Sequence, residues 1–319
     1  MKIILLVLMV SFGLVANTYA EENQNESKEK SSMNLLLDDN DENKDNDDDE
    51  FFEDDDESFF SSSFKYESYF RKSMPTIEMS YGFSVPSIHE DEYAAGDNFA
   101  QQPFGEIKLG TIDKDVNVFN NQSLVEYDFS YVLFSYISSS LGSEEAEKLQ
   151  TESYRFGLGD QSGLGYKLSE HSDIIFYRGH TWQWTMIDFE NDDLASLNDT
   201  YEDAFRFGTS FEGGIKFFVV ENIGIGAAYE NSIVFPRHMF WYWVGSEMFY
   251  HAGDGILGWF LYSIKKSSPM AAPVVSFVLK NAYSYAFYKL LRSNDMNWPI
   301  STAQPFVFEQ FKVNLSFAF

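Results

Sequence analysis

The segment Phe311–Phe319, with the sequence FKVNLSFAF, decides the fold of this chain. Its apolar side chains alternate with polar or small ones from the first residue to the last. A period of two is the side-chain repeat of a β-strand, whose successive residues point to opposite faces of a sheet. The segment therefore predicts a strand with one fully apolar face. The residues of that face are Phe311, Val313, Leu315, Phe317 and Phe319.

Seven upstream segments share this alternation and are rich in aromatic residues, which make up 18% of the chain. With the final segment they predict eight antiparallel strands, at about 75–86, 104–112, 124–137, 153–168, 173–187, 204–219, 224–235 and 305–319. Ser169–Ser172 and Val220–Ile223 predict very short turns, Asp113–Ser123 predicts a longer one, and long polar loops follow the first, third and fifth strands. This arrangement places both chain ends on one side of the sheet, as an even strand count requires.

The N-terminal residues form two segments of very different composition. Residues 1–20 combine Lys2, an apolar run and small residues before a cleavage site, which predicts a secretory signal peptide. Residues 21–60 carry 18 Asp or Glu and 3 Lys, which predicts a disordered acidic tail on the periplasmic side. Such a tail attracts cations or a basic partner weakly, through charge alone. Residues 61–319 form the remaining domain.

The final strand ending on Phe319, together with the signal segment, resembles the C-terminal signature of bacterial outer-membrane β-barrel proteins, of the small OmpA/OmpX-like or porin-like kind. This resemblance implies an all-β fold, an antiparallel transmembrane β-barrel of about eight strands. It also implies that the protein is integral to the outer membrane and contacts its lipid, and that the barrel-assembly machinery recognises the last strand. A secreted β-sandwich shows the same alternation and is the competing fold.

Charge and composition exclude several functions. The formal net charge is −28, the wrong sign for binding nucleic acid. The chain has no cysteine, which excludes disulfides, thiolate metal sites and a cysteine nucleophile. The sequence contains no H-E-x-x-H, P-loop or dinucleotide-binding motif, so neither a metal nor a cofactor is expected.

The polar faces of the predicted strands indicate what fills the barrel. They carry six acidic and six basic residues, and such balanced charges are expected to pair in the narrow lumen of an eight-strand barrel. A closed lumen is therefore expected, since a selective pore favours a ring of one sign. The predicted lumen charge network comprises Glu78, Glu106, Lys108, Glu126, Asp128, Arg155, Lys167, Arg206, Glu212, Lys216, Glu230 and Lys312.

Two regions depart from the simple strand pattern. Residues 237–297 have apolar residues at helical spacing, which predicts a helical hairpin inserted before the last strand. Two further strands there, giving ten in all, would preserve parity equally well. In the fifth strand, regular alternation would direct Arg178 and His180 toward lipid. Because a charge at the bilayer midplane costs about 2–4 kcal/mol, a bulge near Gly179 is expected to shift the phase there.

Three functions are compatible with these patterns. The balanced interior and polar loops favour a structural or surface-interaction barrel that is not an enzyme. A transport barrel for small or hydrophobic solutes is the first alternative, with Met239–Phe260 as its plug or lateral gate. The second is a lipid-modifying enzyme that uses Ser246 and His251, although residues five apart do not share a helix face.

Overall fold

The structure is a computed structural model of the 319-residue chain. It describes residues 73–88, 99–118, 121–138, 150–189, 201, 204–237, 239–292, 297–300 and 304–319, without the side chains of 117–122. The signal peptide and the acidic tail predicted for residues 1–20 and 21–60 lie outside these ranges, as do most residues of the three long loops.

Eight strands form one closed antiparallel barrel in which each strand pairs with its neighbours in sequence, and the first pairs with the last. This confirms the predicted fold class and the count of eight. The strands are β1 (Met74–Ile88), β2 (Gln102–Val118), β3 (Asn121–Ser138), β4 (Thr151–Lys167), β5 (Asp173–Phe189), β6 (Arg206–Val220), β7 (Ile223–Val234) and β8 (Phe306–Ala318).

The apolar alternation of the final segment serves to close the barrel. β8 pairs with β1 and with β7 at once, so that Phe317 lies opposite both Ile77 and Ile223. The backbone N–H of Phe319 donates to the carbonyl oxygen of Pro75 at 2.9 Å, one residue beyond the strand. Because both edges of β8 are paired, no strand edge of the sheet is left unpaired along this seam.

The two ends of the barrel differ in their connections. Short turns join β2 to β3, β4 to β5 and β6 to β7, and we call this the turn end; the opposite end is the loop end. The prediction of a longer turn at Asp113–Ser123 is wrong, because β2 continues to Val118 and pairs with β3 almost to its tip. Polar residues can occupy this extension because they meet partners at the turn end, where Lys114 pairs with Asp173 at 3.3 Å.

The outer surface of the barrel is apolar. Seven large apolar side chains that point outward from β1 and β8 are between 38% and 55% exposed, while the residues that alternate with them are buried in the barrel. These exposed residues are Ile77, Met79, Tyr81, Phe83, Val85, Phe311 and Val313. A water-soluble barrel has the opposite arrangement, so this surface matches lipid and not water.

Two helices lie between β7 and β8, as predicted for residues 237–297. They are α1 (Phe240–Ser267) and α2 (Ala272–Arg292), joined by a single 3₁₀ turn at Pro269–Ala271. Proline at the start of that turn cannot continue the α1 hydrogen-bond ladder, which explains why the chain reverses there. Among the described residues, no helix is both long enough and apolar enough to span a membrane.

The predicted bulge near Gly179 is absent. β5 pairs without interruption with β4 and with β6, so Arg178 and His180 keep the regular phase and point away from the lumen. The expectation was wrong because it assumed that lipid covers this part of the wall. The helical hairpin covers it instead: Asp254 and Tyr250 of α1 lie against Arg178 and His180.

Candidate functional site

A network of buried charges fills the middle of the lumen. Lys108 on β2 reaches across the barrel to Glu212 on β6 at 2.7 Å, and Lys216 on β6 reaches Glu78 on β1 at 2.6 Å. Arg155 on β4 binds Glu106 at 2.6 Å through one guanidinium nitrogen and Glu230 at 2.5 Å through another. Four acidic and four basic groups therefore balance. The members of this lumen network are Glu78, Glu106, Lys108, Arg155, Glu212, Lys216, Glu230 and Lys312.

Lys312 is the centre of the network. Its Nζ lies 2.7 Å from Glu106, 2.8 Å from Glu212 and 2.6 Å from Glu230. The oxygens of these three carboxylates come within 4.8 Å of one another, a spacing that suits a divalent cation. The ammonium group already contacts all three carboxylates, however, and Lys108 and Arg155 bind the same groups. These carboxylates are therefore satisfied as partners of lysine and arginine and do not require a metal ion.

Four residues of the predicted network lie elsewhere. Glu126 and Asp128 on β3 face outward, because this strand directs its aromatic face into the barrel. The hydroxyl of Tyr127 accepts a hydrogen bond from Lys216 at 2.7 Å, and that of Tyr131 lies 2.9 Å from Thr181. The remaining two residues lie at the ends of the barrel, away from its middle: Lys167 ends β4 at the turn end and Arg206 begins β6 at the loop end.

Two apolar clusters lie on either side of the lumen network along the barrel axis, one toward the turn end and one toward the loop end. Each is formed by buried side chains near the strand ends, with aromatic rings as the largest members. The cluster at the turn end includes Met74, Ile112, Val125, Tyr127, Phe129, Tyr131, Ile175, Tyr177 and Phe218. The cluster at the loop end includes Ile88, Phe99, Phe104, Ile137, Ile187, Phe189, Tyr201, Val234, Phe306 and Phe308. In the part of the chain that the structure describes, buried side chains therefore occupy the lumen at three levels, which are the two clusters and the network between them.

The helical hairpin lies outside the lumen, against the outer wall of β4–β7. Its apolar contact is a third cluster, in which Tyr250 and Phe287 of the helices pack on Phe211 of β6. The exposed side of α1 is also apolar, with Trp241 79% exposed. The segment Met239–Phe260 therefore does not plug the lumen.

Polar groups of the hairpin face the barrel. Arg178 donates from both terminal nitrogens to Asp254 of α1, one of the bonds measuring 3.0 Å. Nε2 of His180 lies 3.8 Å from Glu247 of α1. The Arg178–Asp254 pair gives an outward charge of β5 a charged partner where it would otherwise face hydrocarbon. Nε2 of His180, by contrast, makes no hydrogen bond to any residue that the structure describes. The partners are far apart in the sequence, so alternation could not pair them. The only indication in the sequence was that β5 and α1 each carry charged residues on an otherwise apolar face.

Glu309 of β8 binds the hairpin at the loop end. Its carboxylate accepts hydrogen bonds from Tyr288 at 3.2 Å and from Arg292 at 2.6 Å, both on α2. It also accepts one from Tyr229 of β7 at 3.1 Å. Sequence reasoning missed this residue, since it sits on the outward face of β8 where an isolated carboxylate has no evident role.

The Ser246 and His251 pairing required by the lipid-modifying hypothesis is not formed. The hydroxyl of Ser246 is buried and makes no hydrogen bond to any residue that the structure describes. His251 instead faces Glu247, one helical turn away, at 3.6 Å. A serine nucleophile needs a base within hydrogen-bond reach, and this geometry does not supply one.

No protein-family model matches the chain, and no curated protein matches it. It is similar in structure to small outer-membrane barrels. Ail, the attachment invasion locus protein of Yersinia pestis, is 9% identical over 77% of this chain and 99% of its own, with a TM-score of 0.29. Neisserial surface protein A is 8% identical over 77% and 97%, with a TM-score of 0.34. Ail in complex with the heparin analogue sucrose octasulfate is 10% identical over 77% and 99%, with a TM-score of 0.28.

Proposed function

We propose that this protein is a closed barrel of the bacterial outer membrane with a structural or surface-interaction role. The packed lumen is the observation that carries this proposal. The interior of an eight-strand barrel is just wide enough for side chains to fill, and here a balanced charge network and two apolar clusters occupy it. The apolar outer wall supports the proposal that the barrel is embedded in lipid. The polar loops would then be the parts of the protein that contact other molecules.

The first test is conductance. Purified protein in planar bilayers is expected to show no steady open channels, because ions would have to pass two apolar clusters and a network whose charges are already paired. A sixteen-strand porin, which holds an aqueous channel, is the positive control under the same conditions. Regular channels of large conductance would overturn the closed-lumen proposal.

The hairpin provides a second test, directed at the transport alternative. A variant that lacks residues 239–300 also carries Arg178→Leu, His180→Leu, Glu126→Gln, Asp128→Asn and Glu309→Gln, because the hairpin covers these outward residues in the full chain. Its solute uptake into vesicles is expected to equal that of the full chain, because the hairpin lies beside the lumen and not in it. Faster uptake by this variant would instead favour the hairpin as a lateral gate.

Orientation gives a third prediction. Outer-membrane barrels turn their short connections to the periplasm and their longer loops outward, so the turn end should face the periplasm. The chain has no cysteine, so single cysteines can be labelled without background. A membrane-impermeant maleimide is expected to label Ser143→Cys, in the loop after β3, on intact cells. It should label Glu170→Cys, in the turn before β5, only after the outer membrane is permeabilised; the reverse pattern would contradict the orientation.

A further inference from the structure

The hairpin extends along the height of the barrel wall. At the turn end, the hydroxyl of Tyr166 donates to the carbonyl oxygen of Met270, in the 3₁₀ turn, at 2.6 Å. At the loop end, Arg292 of α2 donates to Glu309 of β8 at 2.6 Å. At roughly 1.5 Å per residue, the 21 residues of α2 extend about 30 Å between these two contacts. The hairpin therefore passes the levels of the wall that would meet the membrane.

The two helices bury polar residues and expose apolar ones, which is the reverse of a helix on the surface of a water-soluble protein. Ser246 and Glu247 of α1 and Ser276 and Ser284 of α2 are buried. In these helices, which the structure describes in full, the large exposed apolar or aromatic side chains are Phe240, Trp241, Tyr242, Met248, Phe249, Ile256, Trp259, Phe260, Tyr262, Val274, Val278 and Tyr285.

Exposed charge is confined almost entirely to the tip of the hairpin. Of the Asp, Glu, Lys, Arg and His residues in the two helices, Lys266 and His251 are exposed, and the others are buried or half-buried. Lys266 lies beside Ser267 at the tip, whereas Nε2 of His251 lies 3.6 Å from the carboxylate of Glu247. Charged residues near the ends of helices in a bilayer can reach the head groups, so this distribution suits a membrane.

Tryptophan marks both ends of the apolar face of α1. Trp241 is 79% exposed near the loop end, and Trp259 is 45% exposed near the turn end. At roughly 1.5 Å per residue, these two positions are about 27 Å apart along the helix. Outer-membrane barrels have an apolar band about 25 Å tall with aromatic residues at both edges. The spacing of the two tryptophans therefore matches the apolar layer of the membrane.

The apolar face of the hairpin continues the apolar surface of the barrel. α2 packs on β6 and β7, and these strands expose Phe217, Val219 and Ile225 toward the turn end, where α2 exposes Val278. One apolar surface therefore passes from the strands to the helices. The medium that covers the strands should also cover the hairpin.

We propose that the hairpin lies within the apolar layer of the membrane beside the barrel, with its exposed face against lipid acyl chains. The inference rests on the proposed embedding of the barrel. A helix alone in lipid needs apolar residues on every side, a requirement that the buried polar residues of α1 and α2 do not meet. Packed on the wall, the helices need only an apolar outward face, because the wall supplies partners such as Arg178 for Asp254.

The test measures which collision partner reaches a nitroxide spin label in the full chain, reconstituted into phosphatidylcholine vesicles. The chain has no cysteine, so Ile256→Cys on α1, Ala282→Cys on α2 and Lys266→Cys at the tip can each be labelled alone. Molecular oxygen enters hydrocarbon, whereas a polar nickel chelate is excluded from it. We expect oxygen to collide several-fold more often than the chelate with the first two labels, and less often with the label at the tip.

A fourth label separates this proposal from the embedding of the barrel. Tyr81→Cys lies on the outward face in the middle of β1. If the chelate dominates at both mid-helix labels while oxygen dominates at Tyr81→Cys, the hairpin proposal is wrong and the barrel is still in lipid. If the chelate dominates at Tyr81→Cys as well, the embedding itself is wrong. Slow collisions of both probes at the mid-helix labels would show that a second copy covers the face, which also contradicts the proposal.

A charge placed on the exposed face gives a second measurement. Ala282→Arg puts a cation midway along α2 at an exposed position, and arginine is nearly as good a helix former as alanine. We expect it to lower the equilibrium constant for folding in vesicles by about thirtyfold or more, the effect of an arginine deep on a lipid-facing surface. Ser263→Arg, exposed near the tip, should lower it by less than about threefold. Equal effects of the two substitutions would contradict the proposal.

Discussion

Replacing Lys312 with methionine is expected to lower the free energy of unfolding by about 3–5 kcal/mol, the usual cost of removing one partner from a buried ion pair. Lys312 is fully buried and lies within 2.8 Å of three carboxylates. Methionine fills a similar volume but leaves the lumen network with one uncompensated negative charge. Denaturant unfolding of the barrel in lipid vesicles, followed by the fluorescence of its 6 tryptophans, measures the change.

Two companion variants show whether charge or packing causes the loss. Lys312→Met/Glu230→Gln restores neutrality, since Arg155 keeps Glu106 as its partner at 2.6 Å. It should therefore recover a large part of the lost stability. Lys266→Met, at an exposed position of α1, is expected to change stability by less than about 0.5 kcal/mol. A Lys312→Met barrel that unfolds at the wild-type denaturant concentration would show that the network does not stabilise the fold.

Replacing Asp254 with alanine is expected to destabilise the outer wall by about 2–4 kcal/mol, the depth-dependent cost of an arginine facing lipid. Arg178 would lose both of its hydrogen bonds to α1. The hairpin, held at the loop end by Glu309, should then loosen near its middle. Protease cleavage of α1 in detergent and denaturant unfolding in vesicles report these two consequences separately.

The matching double variant distinguishes the ion pair from general loss of contact. Arg178→Leu/Asp254→Leu removes both charges and leaves an apolar seam, so it should be more stable than Asp254→Ala alone. The single variants Arg178→Leu and Asp254→Leu, the double variant and the unmodified protein form a cycle whose coupling energy isolates the pair. Glu221→Ala serves as the control, because its contact with His171 is at an exposed turn and is expected to contribute at most about 1 kcal/mol. Additive effects of the two substitutions would rule out a coupled pair.

Much of the barrel could be predicted from alternation alone. The spacing of Phe311 to Phe319 marked β8, and similar spacing marked the other seven strands to within a few residues, except at the end of β2. The helical spacing in residues 237–297 marked α1 and α2. These elements can be predicted because side chains share one face every two residues in a strand and about every four residues in a helix, so that near neighbours in the sequence reveal each element.

The charged sites were less predictable, and β3 shows why. Alternation separates Tyr127 and Phe129 from Glu126 and Asp128, but it does not say which set faces the lumen. Large side chains can fill a lumen this narrow, and a buried tyrosine hydroxyl needs a hydrogen-bond partner there. The hydroxyl of Tyr127 has two such partners, because it donates to Gln161 and accepts from Lys216. The outward carboxylate of Glu126 is then tolerated because the hairpin brings Nζ of Lys265 to within 3.9 Å of it.

The sequence by itself determined the strands, their two faces and the helical hairpin, because these follow from side-chain repeats between near neighbours. Only the tertiary structure decided that Arg178 keeps an outward place without a bulge, that Lys312 unites three carboxylates, and that the hairpin lies beside the lumen. Each of these depends on groups far apart in the chain. Burial of a charge is tolerated only where its partner is brought within a few ångströms, and the closed barrel and the packed hairpin set that distance.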